Sequence, residues 1–255
     1  MNTATAEKQN KIMYISQAEN FSKIPGSQIA YWASSAKIAC FGNGIKIDNI
    51  AQARQGIIPG NVDAFLRLWQ EVNINKVGFN HIDYSDIVKF KKKWFPYNKG
   101  GSFRRWYGNL EYLINMENNG YDIKYSGLNN NYRLREPELY FKESISWSKI
   151  SSGLFSMRYM PKGTLFDIAG CCVFGLNDNE KYVLALANSI VVLSLMEFLG
   201  ATLNYEVDQI KKIPIIFNKE NKETIEMLTD ENIVVSKSDW DLFETSWDFK
   251  KHPLI

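Results

Sequence analysis

The sequence predicts a mixed α/β fold, of the α+β kind, in which helices flank a twisted mixed sheet. Two observations predict it. Short apolar segments separated by Gly, Pro, Asn and Ser turn signals recur through the middle of the chain, and such segments are typical of strands. Two longer segments have helical character, one apolar over residues 179–199 and one amphipathic and acidic from Asn218 onward. The 255 residues provide enough material for one large or two small domains.

The predicted strands lie mostly in the middle of the chain. In order, the predicted elements are a strand at 110–115, a turn at 118–120 with a second short strand after it, a short helix at 136–141, two strands joined at 151–153, and a buried strand after the turn at 161–163. Asp167 interrupts the last strand, and a hydrogen-bonded structural role is expected for it. Residues 65–72 remain open between helix and strand, because their apolar spacing fits both.

The chain divides into three predicted parts: a disordered or linking lead-in at 1–20, a domain at 21–217, and a helical tail at 218–255. The lead-in is expected to end in an extended piece, followed by a Pro25-Gly26 turn and a helix or strand at 29–32. The apolar segment 179–199 is about as long as a membrane is thick, but polar residues interrupt it, so a buried helix is expected.

Charge is distributed unevenly along the chain. The 30 Lys and Arg nearly balance the 28 Asp and Glu, but the acids concentrate after residue 220. Residues 89–109, KFKKKWFPYNKGGSFRRWYGN, carry seven basic and seven aromatic residues without one acid. Lys and Arg neutralise phosphates and flat rings stack on bases, so this segment predicts a surface for a polyanion. The alternative is a solvated charge run beside a small aromatic core.

The residue types that carry out enzyme chemistry do not occur in the sequence at the spacings that known catalytic sites require. The sequence shows no nucleophile beside a base, no paired carboxylates and no metal-ligand pattern. Gly42-Asn43-Gly44 is expected to be a plain turn rather than a nucleotide loop. Residues 95–98, Phe-Pro-Tyr-Asn, fail to match the Pro-Pro-Tyr motif of adenine methyltransferases. Three cysteines without disulfide spacing favour a reduced, cytoplasmic compartment.

Six blocks of the sequence, in this order along the chain, together resemble a known family. They are FSKIPGSQIAYW (21–32), QGIIPGNVDAFLRLWQEV (55–72), KWFPYNKGGSFRRWYGN (93–109), SSGLFSMRYMPKGTLFDIAG (151–170), LNYEVDQIKKIPI (203–215) and DWDLFETSWDFKKHPL (239–254). They resemble the C-terminal target-recognition region of the PglX family, the adenine-specific DNA methyltransferases of BREX phage-defence systems. More distantly, they are similar to the target-recognition portion of single-chain, type IIG restriction-modification enzymes.

The resemblance implies that residues 21–217 are a DNA target-recognition domain. The family's catalytic domain, with its S-adenosylmethionine loop, would precede residue 1, and a further C-terminal part would follow Ile255. The chain is therefore expected to hold no cofactor itself and to be inactive alone. Its expected partners are duplex DNA and a methyltransferase catalytic domain or other BREX subunits, with no membrane. A natural fragment, a split subunit and an expressed piece all remain open.

Eight residues are expected to contact DNA: Lys93, Tyr97, Asn98, Lys99, Gly100, Arg104, Arg105 and Arg158. The lysines and arginines suit phosphates or, for one arginine, a guanine edge, and Asn98 suits adenine. Gly100 would let the backbone approach the duplex closely. For Arg158, an ion pair with Asp167 or Glu143 is the alternative.

Two other functions compete with DNA recognition. The chain could dock on a full-length methyltransferase or on other defence subunits without binding DNA. It could also be a small independent nuclease or methyltransferase, although the missing motifs make this the weakest hypothesis.

Overall fold

The structure is a computed structural model that describes residues 17–128, 131–200, 204–252 and 254. Its helices are α1 Ala18–Lys23, α2 Ser35–Asn43, α3 Val62–Phe65, α4 Asp86–Lys89, α5 Glu117–Tyr125, α6 Glu180–Ala187, α7 Ile190–Met196, α8 Val207–Ile210 and α9 Lys222–Trp240. Its strands are β1 Ile45–Lys46, β2 Gln52–Arg54, β3 Leu66–Leu68, β4 Trp94–Asn98, β5 Tyr112–Asn115, β6 Ser144–Ser148, β7 Met157–Met160, β8 Leu165–Phe166, β9 Gly170–Phe174 and β10 Pro214–Ile215. Most of the predicted lead-in lies outside the described residues.

The strands form two four-stranded sheets and a two-stranded one, which confirms the mixed α/β class. One sheet has the order β2-β9-β6-β7 and is antiparallel throughout. The other has the order β3-β5-β4-β8, and in it β4 and β8 run parallel. The third joins β1 to β10, two strands of two residues each.

The chain crosses between the two large sheets at Asp167. The sequence predicts one buried strand here, but β8 pairs with β4 while β9 pairs with β6. The carboxylate of Asp167 accepts hydrogen bonds from the Tyr97 hydroxyl at 2.5 Å and from the Ala169 amide at 2.7 Å. These bonds fix the bend, so the structural role predicted for Asp167 is confirmed.

Two apolar cores lie against the large sheets. Alternation along β6 turns Ile145 and Trp147 toward α2, α6 and α7, where they join the first core. The second core forms around Phe95, Tyr97 and Ile114 of the other sheet. The serines of β6 face the opposite side from Trp147 and are also buried, so that face carries a polar layer.

The apolar segment 179–199 forms a bent pair of helices instead of one. Asn188 ends α6, and its side-chain amide exchanges hydrogen bonds of 2.9 and 3.0 Å with the backbone of Met157. Ser189 then caps α7. Four of the eight residues of α6 are buried and the other four are only partly exposed, as expected of a packed helix. Among the described residues no single helix is long and apolar enough to cross a membrane; α6 and the segment Ile190–Leu199 meet that test only together, across a 66° bend.

Residues 222–240 of the acidic tail form α9, so the predicted helix is confirmed there, whereas residues 241–252 form turns and irregular structure. Ile225 and Ile233 pack against the first core. Trp240, at its end, forms a third cluster with Tyr107, Leu110 and Met160. The tail is therefore packed on the rest of the chain.

Three local predictions are wrong. Residues 18–23 form α1 rather than an extended piece, and residues 29–32 lie in neither helix nor strand. Residues 121–125 are helical rather than a strand, because β3 and β4 already occupy both edges of β5 and leave no edge for another strand. At 65–72 both alternatives hold in part: α3 ends at Phe65 and β3 follows at once.

Candidate nucleic-acid interface

The basic and aromatic segment 89–109 is organised by β4. This strand lies between β5 and β8, and its residues 95–98 are buried. Phe95 and Tyr97 thus belong to the core rather than to a surface. The basic side chains are left at the two ends of the strand. Lys93 and Lys99 are six residues of mostly extended chain apart, roughly 20 Å, so the structure divides the segment into two basic regions.

Lys93 and Lys99 are both partly exposed. Lys93 Nζ lies 3.5 Å from a Glu117 oxygen and 4.0 Å from an Asp122 oxygen. Lys99 Nζ lies 4.6 Å from the ring centre of Tyr112, in a cleft of about 400 Å³ that Arg67 also lines. Partly exposed ion pairs and cation–π contacts contribute little to stability, so Lys93 can exchange its carboxylates, and Lys99 its ring contact, for a phosphate at small cost.

The polar groups at the end of β4 bind other parts of the same chain. Asn98 Nδ2 donates to Ser146 Oγ at 2.6 Å and to the Gly170 carbonyl at 3.1 Å, and Oδ1 accepts from the Gly100 amide at 3.1 Å. Asn98 and Tyr97 are 0% exposed. In this structure neither side chain has a surface that could reach a base, so the adenine contact expected for Asn98 has no geometric support.

Gly100 makes a close backbone approach, but to its own chain. Its φ is +83°, and a Cβ there would lie 2.7 Å from the Ala169 carbonyl oxygen. Glycine is therefore required because β4 passes the crossover after Asp167, and not because a duplex is near.

Arg104 and Arg105 are held by neighbours. Arg104 Nη1 lies 3.1 Å from Asp239 Oδ2 of α9, and its guanidinium lies 4.9 Å from the Trp240 ring centre. The Arg105 guanidinium lies 5.6 Å from the Phe103 ring centre, and its buried Nε has no hydrogen-bond partner. The sequence predicts that acids concentrated in the tail leave the middle of the chain basic. One of these acids, Asp239, instead lies beside Arg104 and neutralises its charge.

Arg158 is 0% exposed in β7. Its Nη2 donates to Ser148 Oγ at 3.1 Å and its Nη1 to the Arg104 carbonyl at 3.5 Å, while Nε has no partner. Burial lowers its pKa to about 10, which leaves it charged at neutral pH. Neither Asp167 nor Glu143 forms an ion pair with it among the described residues. Direct contact with DNA and the alternative ion pair are thus both absent from this geometry.

Four lysines at the other end of β4 are exposed or partly exposed without an acidic partner. They are Lys76, Lys89, Lys91 and Lys92, here called the lysine cluster, and in the described part of the chain none of them forms an ion pair. Lys92 Nζ donates only to the Asn75 carbonyl, at 2.7 Å. Lys76, Lys91, Lys92 and Lys93 line one cleft of about 390 Å³. Like charges held together by the backbone repel, and a polyanion relieves that repulsion.

Local backbone structure creates the lysine cluster. α4 ends at Lys89, and Lys91 has φ +49°, a left-handed conformation that reverses the chain before β4. Lys76 arrives from earlier in the chain because its carbonyl accepts a hydrogen bond from the Lys93 amide at 3.1 Å. The sequence places Lys89, Lys91 and Lys92 in one run, but no pattern in it indicates that Lys76 joins them.

Metal-binding clusters and reactive buried thiols are not found among the described residues. No set of three His, Cys, Asp or Glu side chains could hold a metal ion there. Burial raises the pKa of the Cys172 thiol to about 11 and raises that of Cys171 further, so neither is a thiolate at neutral pH.

Comparison with known proteins identifies two relatives. Adenine-specific methyltransferase PglX of Lacticaseibacillus casei (strain Zhang) is 38% identical over 260 residues, covering 99% of this chain and 21% of that protein. Adenine-specific methyltransferase BrxX of Escherichia coli O9:H4 (strain HS) is 41% identical over 241 residues, covering 92% of this chain and 18% of that protein. No family model matches the chain. The resemblance is confirmed: the chain is a relative of the adenine-specific methyltransferases PglX and BrxX, and it spans about one fifth of their length.

Proposed function

We propose that this chain recognises duplex DNA by sequence, as the specificity part of an adenine-N6 DNA methyltransferase of a BREX-type phage-defence system. The observation that carries the proposal is the lysine cluster, which has no acidic partner in the described structure. The names of the two relatives supply the reaction that such recognition would serve. Unpaired lysines neutralise phosphates, a contact that positions a protein on DNA without reading sequence.

Phosphate contact is assigned to the lysine cluster and to Lys93 and Lys99 at the ends of β4. Base reading is assigned to Arg105, a partly exposed residue that forms no ion pair among the described residues; its unpartnered Nε is buried, so the contact falls to the outer guanidinium nitrogens. Arg104 also contacts the DNA once its ion pair with Asp239 is broken. Tyr97, Asn98, Gly100 and Arg158 act indirectly, by fixing β4 and the loop after it through buried hydrogen bonds.

Methyl transfer is assigned to a catalytic domain outside this chain, and S-adenosylmethionine would bind there. The expected partner is that domain or another BREX subunit, in the cytoplasm. Transfer of a radiolabelled methyl group from S-adenosylmethionine to DNA by this chain alone would contradict the assignment.

The proposal is tested by measuring DNA affinity against salt. Wild type is compared with the variant Lys89→Gln, Lys91→Gln, Lys92→Gln, whose three positions are at the surface. Each phosphate contact contributes about 0.9 to the slope of log affinity against log salt, so the slope should fall by about 2.7. The affinity should fall most at low salt.

A matched control removes the same charge elsewhere. Lys219, Lys250 and Lys251 are exposed residues of the tail, and their replacement by Gln should leave the salt slope unchanged. Equal slope losses in the two triple variants would contradict an interface at the cluster. No binding by wild type at tens of micromolar would contradict DNA recognition itself. Selection from a randomised duplex pool then tests whether recognition is sequence-specific, with Arg105→Ala expected to relax it.

One observation favours the second function, docking on a methyltransferase or another defence subunit. α9 carries an exposed apolar stripe formed by Met227, Leu228, Val234 and Val235, which are 54, 48, 63 and 68% exposed. Their spacing of one and seven residues places them on one helix face, away from Ile225 and Ile233. Such a face suits a groove on another protein surface.

Docking is tested with the immobilised full-length relative from Escherichia coli and this chain in solution. The variant Val234→Glu, Val235→Glu should abolish binding while leaving the salt slope for DNA intact. Ile190→Glu, Val191→Glu, which adds the same charge at two adjacent exposed apolar residues of α7, is the control for charge alone and should bind like wild type. Binding by wild type and by the double variant with equal affinity would contradict docking through α9.

A further inference from the structure

A column of aromatic rings runs from the second core to the surface. Phe141 and Phe95 are fully buried, with ring centres 5.8 Å apart. Phe95 lies 5.3 Å from the His81 ring centre, and His81 lies 5.1 Å from that of Phe90 at an interplanar angle of 30°. Phe90, the last ring, is 47% exposed. The column therefore begins in the core and presents one ring to solvent.

The backbone fixes Phe90 at this position. It caps α4, with its amide donating to the Asp86 carbonyl at 3.0 Å, and the left-handed residue Lys91 follows. Gly78 leaves space for the His81 ring, on which Phe90 stacks, because a Cβ at residue 78 would lie 2.4 Å from His81 Nε2. Burial lowers the pKa of His81, so its imidazole is neutral at neutral pH and packs against Phe90 as an uncharged ring.

The surroundings of Phe90 are cationic. Lys89 Nζ lies 5.0 Å from its ring centre, and Lys91 and Lys92 are the next residues in the chain. Phe90 lines two clefts, one with Lys89, Lys92 and Asp86 and the other with Lys91, Lys92, Lys93 and Glu117, so lysines outnumber acids in both. Phe90 stacks on His81 and still has 47% of its surface exposed, so covering the core does not account for the whole ring. A ring held open to solvent among unpaired lysines matches the combination that binds unstacked nucleotides.

We propose that Phe90 is a stacking platform for a nucleobase that has left the double helix, with the lysine cluster holding the phosphates on either side of it. The proposal rests on the proposed DNA recognition and adds the state of the DNA that is bound. Bases inside a duplex already stack on their neighbours and cannot offer a face to Phe90. Only an unpaired or extruded base can do so, and stacking on a protein ring then offsets part of the cost of extrusion.

The platform is tested with two short duplexes of the same sequence, one fully paired and one carrying a single unpaired 2-aminopurine. Wild type should bind the second on the order of tenfold more tightly. Phe90→Ala and Phe90→Leu should abolish this preference, whereas Phe90→Trp should retain it. Leucine keeps His81 covered without offering an aromatic face, which separates stacking from simple burial. Val88→Ala, at a neighbouring position that is 58% exposed, should change neither affinity.

Each outcome decides between the hypotheses. Equal affinity of wild type for both duplexes, or a preference that survives Phe90→Ala, would overturn the platform while leaving DNA recognition in place. Binding of neither duplex would remove the proposed function together with the platform. Affinity for the paired duplex within about twofold across the Phe90 variants, the effect expected of surface changes, shows that the variants remain folded.

Discussion

The two ends of the basic segment 89–109 differ in their partners although they are similar in composition. At the lysine end, Lys89, Lys91 and Lys92 of the segment lie at the surface without an acidic partner in the described structure, and Lys76 joins them from earlier in the chain; only Lys93 at this end pairs with acids, Glu117 and Asp122. At the arginine end, Arg104 pairs with Asp239 and lies over Trp240, both of α9. The charge available to a ligand therefore depends on what the fold places beside each residue, and not on how many basic residues a segment contains.

The largest expected effect comes from a variant that disrupts the packing at the arginine end. Trp240→Ala removes the centre of the third apolar cluster, where Trp240 is 5% exposed beside Tyr107 and Leu110. The free energy of unfolding should fall by about 3 to 5 kcal/mol, as for other buried aromatic truncations. Urea denaturation measures the loss. Phe243→Ala, at a position 51% exposed, should change stability by less than about 0.5 kcal/mol, and equal losses would contradict this packing.

The second effect tests the strand that separates the two ends. Asn98→Ala leaves the Gly100 amide without its side-chain acceptor and removes two donated hydrogen bonds. Unsatisfied buried groups cost about 1 to 3 kcal/mol, and urea denaturation should show a loss of that size. The exposed Asn221→Ala is the control, with little change expected.

The same variant also tests the adenine contact expected from the sequence. Because Asn98 is buried, the folded fraction of Asn98→Ala should select the same bases as wild type from a randomised pool. A changed preference at an adenine position would restore the direct contact and contradict the burial argument.

The third variant removes the acidic partner of an arginine, so that the arginine end, like the lysine end, presents an unpaired positive charge. Asp239→Asn removes the acid that lies 3.1 Å from Arg104, and DNA affinity should rise by a few fold with a salt slope steeper by about 0.9. Asp208→Asn, an exposed change outside the ion pairs of the described residues, controls for the general loss of negative charge. An equal rise in both variants would show that net charge, and not the freed arginine, is responsible.

The smallest expected effect is a loss of stability at acidic pH, caused by a histidine at the lysine end. Burial lowers the pKa of His81 below its ordinary 6.5; among its neighbours Asp86 opposes this shift and Lys92 adds to it. As pH falls through 6.5, the unfolded chain binds a proton that the folded chain does not, so the free energy of unfolding should decrease. His81→Gln should reduce this decrease in urea denaturation at several pH values. His252→Gln, at the exposed second histidine, should leave it unchanged.

Local sequence signals predicted several elements correctly. The turn signal at 151–153 predicted the strands on either side of it, β6 and β7, and the amphipathic acidic pattern predicted α9. Signals that depend on distant partners failed. Residues 121–125 have a possible strand composition, but β3 and β4 already pair with both edges of β5, the strand before them, and β8 and β9 belong to different sheets because Asp167 bends the chain. Among the expected site residues, Lys93 and Lys99 are partly exposed, whereas Tyr97, Asn98 and Arg158 are 0% exposed.

The sequence by itself determined the relationship to adenine-specific methyltransferases, the mixed α/β class and the position of the basic segment, because block order, periodicity and composition are properties of the linear chain. Only the tertiary structure decided which of its charges are free. Asp239 lies 135 residues from Arg104 and neutralises it, while Lys76 reaches Lys92 through backbone pairing beside β4. Electrostatic interactions act over a few ångströms of space, and the fold alone sets those distances.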